Sequence, residues 1–220
     1  MKLCLLCENE TEIESWLPFF GAKAPHLCPK CLERLVKITG PSCSLCSRPM
    51  KETGMCSDCE RWGERAFVSN QSIYLYNEAM QSLIARFKYR GDYVLASIFA
   101  DDVRQMALAA SCDLICAVPL PPTRLAERRF NQSEALIESA GLAHVSLISR
   151  LESDKQSKKS RLERVNAPQT FYPIGDAQGK SVLVIDDIYT TGATIRLVAK
   201  ALMEAGASSV KSITIARSGS

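Results

Sequence analysis

The stretch "VLVIDDIYTTGAT", Val182 to Thr194, runs four apolar residues into two adjacent carboxylates and then into a loop of hydroxyls around one glycine. A short apolar run between polar flanks reads as a strand covered on both faces, the kind found in parallel sheets. The downstream end of such a strand is where these sheets bind ligands. After it, "TTGAT" offers hydroxyl donors, a glycine that lets backbone approach a ligand, and the free amides at the start of the helix "ATIRLVAKALMEAG". Unpaired amides and the helix dipole make that an anion site. Paired carboxylates beside it would repel a phosphate unless something neutral or cationic lies between. A ribose is a neutral spacer: its hydroxyls can donate to Asp186 and Asp187 while its phosphate sits among Thr190, Thr191, Gly192, Ala193 and Thr194. Without a ligand, two adjacent strand-end aspartates would only cost stability.

The same segment resembles the PRPP-binding motif of type I phosphoribosyltransferases, in which two acidic residues follow an apolar strand and precede a T-T/A-G-x-T phosphate loop. Every position from Val182 to Thr194 matches. The resemblance implies an α/β fold, a parallel sheet flanked by helices, with PRPP and Mg2+ as ligands and Asp186 and Asp187 as the catalytic pair.

The 220 residues suffice for one medium domain and a small appendage, and a formal charge of +3 is weak evidence about partners. No apolar run reaches the roughly 18 to 20 residues of a membrane span, and "MKLCLLCENE" turns polar too soon for a signal peptide, so the expected location is the cytoplasm. Eight of the ten cysteines form four C-x-x-C pairs before Glu60: Cys4 with Cys7, Cys28 with Cys31, Cys43 with Cys46 and Cys56 with Cys59. In a reducing compartment that spacing binds zinc, which gives two Cys4 sites in place of a disulfide framework. Sequential pairing would group Cys4, Cys7, Cys28 and Cys31 apart from Cys43, Cys46, Cys56 and Cys59; a cross-braced arrangement would mix alternate pairs. The short spacer from Cys46 to Cys56 favours the sequential scheme. His26 reads as a surface residue that could substitute as a ligand, and Cys112 and Cys116 as inert core thiols.

"ERWGERAFVSNQ" reads as a connector and "SIYLY" as the first strand of a second domain. Asn77 can cap a helix that buries Met80, Leu83, Ile84 and Phe87, and a second helix follows with Leu95, Ile98, Phe99, Val103 and Met106 at similar spacing. Next come strand "DLICAVP", a Pro-rich loop "PLPPTRLAERR", a helix from about Asn131 and strand "HVSLIS". After a polar stretch come the opening strand, its helix and a last strand, "VKSITIA". Strands and helices alternating at these lengths predict a parallel, helix-covered sheet. The expected domains are a Cys-rich double zinc ribbon over 1–62 and a phosphoribosyltransferase-like domain over 67–220. Chelation would then unfold the ribbon and leave the second domain cooperative.

A pyrophosphate needs donors and cations at a neighbouring strand end. "VPLPPTR" offers Leu120, Thr123 and Arg124 there; "RRFNQ" adds two cations and two amides at a helix start. The stretch "DKQSKKSRLERVNAPQ", with Lys155, Lys158, Lys159, Arg161 and Arg164, has no apolar period and reads as a mobile basic loop.

In order, the C-x-x-C-rich start, "FKYRGD", "VPLPPTRLAERRFNQ", the Gln156-Arg164-Asn166 pattern and "VIDDIYTTGAT" resemble the ComF family of late competence proteins across nearly the whole chain. Arg129 replaces the glycine of the familiar "RGFNQ". The resemblance implies that Leu120, Arg124 and Lys88 join the phosphate loop in holding PRPP. It further implies a role in natural transformation beside a helicase-like partner, with single-stranded DNA as a ligand. Two classes of function stand open: a protein that keeps the PRPP clamp to sense a ligand or handle DNA, and an active phosphoribosyltransferase of nucleotide metabolism whose acceptor the sequence does not reveal.

Overall fold

The computed structural model describes residues 2–11, 27–62, 67–152 and 168–219 of the chain. From the amino end, β1 (Lys2–Leu3) pairs antiparallel with β2 (Glu10–Thr11), and the short helices α1 (Pro29–Glu33) and α2 (Ser57–Trp62) follow. Then come β3 (Phe67–Leu75), α3 (Glu78–Tyr89), a 3-10 helix (Tyr93–Phe99), α4 (Ala100–Ala110) and β4 (Leu114–Ala117). The second half holds α5 (Pro122–Arg128), α6 (Gln132–Ser139), β5 (Ile148–Arg150), β6 (Phe171–Pro173), β7 (Ser181–Tyr189), α7 (Ala193–Glu204) and β8 (Ser209–Arg217). Four strands form one parallel sheet in the order β3-β8-β7-β4, so the expected parallel α/β sheet holds.

Successive side chains of a strand face opposite ways, and the apolar run of β7 serves two cores. Leu183 and Ile185 pack with Ile213 and Ile215 against Met80, Leu83, Ile84 and Phe87 of α3, the 3-10 helix, α4 and α6. Val182 and Val184 join Val210 and Cys116 against Ile195, Val198, Ala199 and Leu202 of α7. Each such fully buried aliphatic side chain contributes about 1.5–3 kcal/mol.

Several expectations change. "PLPPTRLAERR" is not a loop throughout: Pro122 sits at the start of α5, where its missing amide costs nothing and its fixed φ suits the first turn. The second amphipathic helix is broken into the 3-10 segment and α4, with Phe99 joining them. "HVSLIS" forms strand only over Ile148–Arg150, which pairs antiparallel with β6 outside the main sheet. The expected connector holds α2 at one end and the start of β3 at the other. Its polar residues look loop-like because their partners lie far along the chain. Asn70 donates to Ser72 (2.8 Å) and accepts from Ser212 (2.9 Å) and Thr214 (3.4 Å), while Ser72 and Thr214 share a 2.7 Å hydrogen bond.

An exposed strand edge invites pairing with another chain, and the β3 edge is covered by the cysteine-rich segment. Ile38 donates to the Ile73 carbonyl, Leu75 to Val36 and Asn70 to Leu45, all at 2.8–2.9 Å. The Cys43, Cys46, Cys56 and Cys59 side chains lie in the same apolar cluster as α7 and β7.

Candidate functional site

Asp187 follows Leu183 and Ile185 at two-residue steps on the β7 face that meets α3. Lys88 stands on α3 one turn beyond Ile84, and its Nζ lies 2.6 Å from Asp187 Oδ2, with both side chains largely buried. Burial alone would pull the Lys88 pKa down, but the Asp187 carboxylate outweighs it and the net direction is up. Lys88 is thus the cation that lets two carboxylates share a strand end.

Asp186 accepts a hydrogen bond from the Ser133 hydroxyl at 3.2 Å. Burial, and then the Asp187 carboxylate, push its carboxyl up to about 7, with Lys88 pulling the other way. Ser133 is placed by Asn131, whose Oδ1 caps α6 through the Ser133 amide (3.0 Å) and whose Nδ2 reaches the Val118 carbonyl (3.1 Å). The "FNQS" segment therefore ties α6 to the end of β4 and supports the carboxylate pair.

Directly after β7, Thr190, Thr191, Gly192, Ala193 and Thr194 wrap the start of the twelve-residue helix α7. Gly192 has φ +84, and a Cβ there would run into the Tyr189 hydroxyl, so only glycine fits. The Thr191 hydroxyl accepts from the Ala193 amide at 3.4 Å, a weak tie that keeps the turn closed. Unpaired amides of a helix start carry the partial positive charge that favours phosphate.

Leu120 lies in the turn between β4 and α5, at the strand end next to that of β7. Arg124 is on α5 and pairs with Glu127 at 3.3 Å. The Thr123 amide and hydroxyl both go to the Glu152 carboxylate, each at 2.7 Å, so an acid of the chain already holds the donors expected for pyrophosphate. These bonds draw the Glu152 carboxyl below its ordinary value. Two further cations belong to this site. Arg150 stacks on Phe171 (4.9 Å); burial above all lowers its pKa, Asp186 pulls the other way, and Arg128 and Arg124 push it down, so each of these three charges acts on Arg150. Arg128 donates to Gln132 (2.6 Å) and lies over the exposed Tyr89 ring (5.6 Å). Sequence reading missed Ser133 and Arg150 because neither carries a local motif; Arg128 had one, in "RRFNQ", that reads as solvated charge. The basic stretch from Lys155 to Arg164, Gln156, Asn166 and His26 lie outside the described residues.

The eight paired cysteines gather as Cys4, Cys7, Cys28, Cys31 and as Cys43, Cys46, Cys56, Cys59, the sequential grouping, with the sulfurs of each set within 4.8 Å of one another. All are free thiols. Zinc–sulfur bonds of about 2.3 Å in a tetrahedron put sulfurs about 3.8 Å apart. Cys7 and Cys28 sulfurs are 3.6 Å apart, and those of Cys46 and Cys56 3.7 Å. Backbone amides of Cys28 and Cys56 point at the Cys4 and Cys43 sulfurs at 3.3 Å, as donors to a thiolate do. Both sets fit zinc, which would be held by four thiolates in a closed structural site. Cys112 and Cys116 stand apart, and burial pushes the Cys116 thiol up to about 11.

Two family models match along the chain. A double zinc ribbon domain matches residues 2–60, and a phosphoribosyl transferase domain matches 129–220. The competence protein ComFC of Bacillus subtilis is 36% identical over 98% of this chain and 95% of its own length. The chain belongs to the ComFC family. ComFC of Streptococcus pneumoniae is 37% identical over 87% of each chain, and the DNA utilization protein YhgH of Salmonella typhimurium is 26% identical over 95% of this chain and 94% of its own. Where the ComFC-like "RGFNQ" has glycine, Arg129 here takes φ +67, the left-handed conformation that glycine adopts freely and that costs other residues roughly 1–2 kcal/mol. Among the described residues no helix is long and apolar enough to cross a membrane.

Proposed function

We propose that this ComFC-family chain binds PRPP, or a related ribose phosphate, with Mg2+, and acts in natural competence by assisting the entry of single-stranded DNA into the cytoplasm beside a helicase-like partner. Residues 1–62 serve as the zinc ribbon and 67–220 as the phosphoribosyltransferase-like domain. The observation that carries the ligand reading is the pair of anchored carboxylates, Asp186 held by Ser133 and Asp187 by Lys88, directly before the Thr190 to Thr194 loop that opens α7. Asp186 and Asp187 accept from the ribose hydroxyls, and the loop donates to the phosphate. Mg2+ would neutralise the pyrophosphate, whose side of the site is lined by Arg124, Arg128 and Arg150. The role in DNA entry rests on kinship with proteins named for competence and DNA utilization, together with the basic stretch from Lys155 to Arg164.

Calorimetry of PRPP with Mg2+ against parent and Asp187→Asn tests the clamp. Losing a charge-assisted hydrogen bond costs roughly 1.5–3 kcal/mol, so the variant, measured below its melting temperature, is expected to bind about ten-fold or more weakly; leaving Lys88 without its partner should also make it melt lower. Equal affinities would reject the carboxylates as ribose ligands.

A further inference from the structure

The second four-cysteine site and the phosphate loop are joined by two side chains. Arg217, buried to 3%, donates from Nε to the Cys46 carbonyl (3.1 Å) and from one terminal nitrogen to the carbonyls of Thr190 (2.9 Å) and Tyr189 (3.3 Å); its other terminal nitrogen lies 3.5 Å from the Cys46 sulfur. The first of those nitrogens also contacts the Ser218 carbonyl. Trp62 stands three residues after Cys59 on α2, and its indole N–H donates to the Thr191 carbonyl at 3.2 Å. The carbonyls of three consecutive residues, Tyr189, Thr190 and Thr191, are therefore held from the cysteine side.

A trans peptide is planar, with its N–H opposite its C=O. Drawing those three carbonyls toward Cys46 and Trp62 turns the amides of Thr190, Thr191 and Gly192 the other way, and these are amides of the phosphate loop. A second observation points to the same place. Arg196, one turn into α7, is 2% exposed and has no hydrogen-bond partner on any guanidinium nitrogen among the described residues; its charge is held only by the rings of Trp62 (4.6 Å) and Phe67 (5.3 Å). Among the described residues no acid hydrogen-bonds or ion-pairs with this buried cation, which leaves its donors open to an anion at the helix start.

We infer that Arg217 and Trp62 are positioning residues that aim the phosphate-loop amides, so that the metal-filled Cys43–Cys46–Cys56–Cys59 site sets the affinity for a ribose phosphate. This rests on the reading of that loop as the phosphate site. Four thiolates around a divalent ion carry a net double negative charge, which fixes the Arg217 guanidinium between the Cys46 sulfur and the loop carbonyls. Losing the ion or the side chains would free the Thr190 and Thr191 peptide units to rotate, while the Tyr189 carbonyl keeps the Ser218 amide at 2.9 Å.

The test uses the zinc-loaded full chain, ribose 5-phosphate as probe, and two variants. Trp62→Phe keeps an aromatic ring beside Arg196 but removes the indole N–H together with its second ring; Arg217→Lys keeps the charge and loses the fork. Calorimetry is expected to show each variant binding the probe roughly ten-fold more weakly with its zinc content unchanged. Linkage is reciprocal, so the probe should also slow the transfer of one of the two zinc ions to a chromogenic chelator in the parent, and this protection should vanish in both variants. Parent-like affinity in both variants, or zinc release indifferent to the probe, would overturn the coupling and leave the clamp standing. A parent that binds no ribose 5-phosphate would overturn the clamp, and the coupling with it.

Discussion

Asp186 sits where burial works against its own charge. In the folded chain it holds its proton up to about 7, against 3.8 for an unperturbed aspartate. Between those values the native state binds more protons than the unfolded one, so stability falls as pH rises from about 4 to about 7 and levels off above. Asp186→Asn keeps an oxygen to accept from Ser133 and removes the charge, so it should flatten that slope. Urea denaturation at pH 5 and pH 8 is expected to show the variant gaining on the parent at the higher pH, at the expense of ligand binding. A difference between the two proteins that is the same at both pH values would mean that Asp186 is not a buried, protonatable carboxyl. The sequence made both aspartates visible because charge so rarely ends an apolar strand. It hid Ser133 and Arg150, whose relevance depends only on where α6 and β5 pack. It also hid the partner of Lys88, since nothing in "FKYRGD" shows which acid lies across the core.

At the scale of elements, apolar periodicity did most of the reading. Met80, Leu83, Ile84 and Phe87 are buried on α3, and Asn77 caps it as expected, accepting from the Met80 amide at 3.0 Å. The failures share a cause: their partners are distant in sequence. β3 reads as a connector for its first half because Ser69, Asn70 and Gln71 are polar, yet Asn70 accepts from Ser212 and Thr214 of β8, Ser212 lying 142 residues further on. Such a network is costly to break from one side. Asn70→Leu strips Ser212 of its partner and leaves Thr214 with Ser72 alone, so it should destabilise by about 1–3 kcal/mol. Chemical denaturation would read this as a lower midpoint with the slope intact; an unchanged midpoint would show that the network contributes nothing net.

For the whole molecule, the number of contacts crossing from ribbon to sheet matters more than any boundary between them. The second cysteine cluster shares a core with α7 and β7, the first with α3, and the segment between them covers the β3 edge. The simple expectation that chelation unfolds the ribbon alone gives way to a broader one. Metal analysis should find about two zinc ions per chain, and stripping both should lower the melting temperature of the sheet domain as well, because its edge and one face lose their cover. Circular dichroism is the readout. A sheet transition at the same temperature with and without metal would make the ribbon a mere appendage.

The strand order has one more consequence, in time. The two central strands of the sheet, β8 and β7, come after both outer ones, β3 and β4, in the chain. As the polypeptide leaves the ribosome, β3 and β4 emerge before either has a neighbour, and the loop that β3 must close to meet β8 is among the longest the chain can offer. High contact order of this kind slows folding and prolongs the exposure of unpaired apolar strands. A nascent chain that has already closed its cysteine clusters would carry a cover for the β3 edge during that wait, so early metal capture would act much as an intramolecular chaperone.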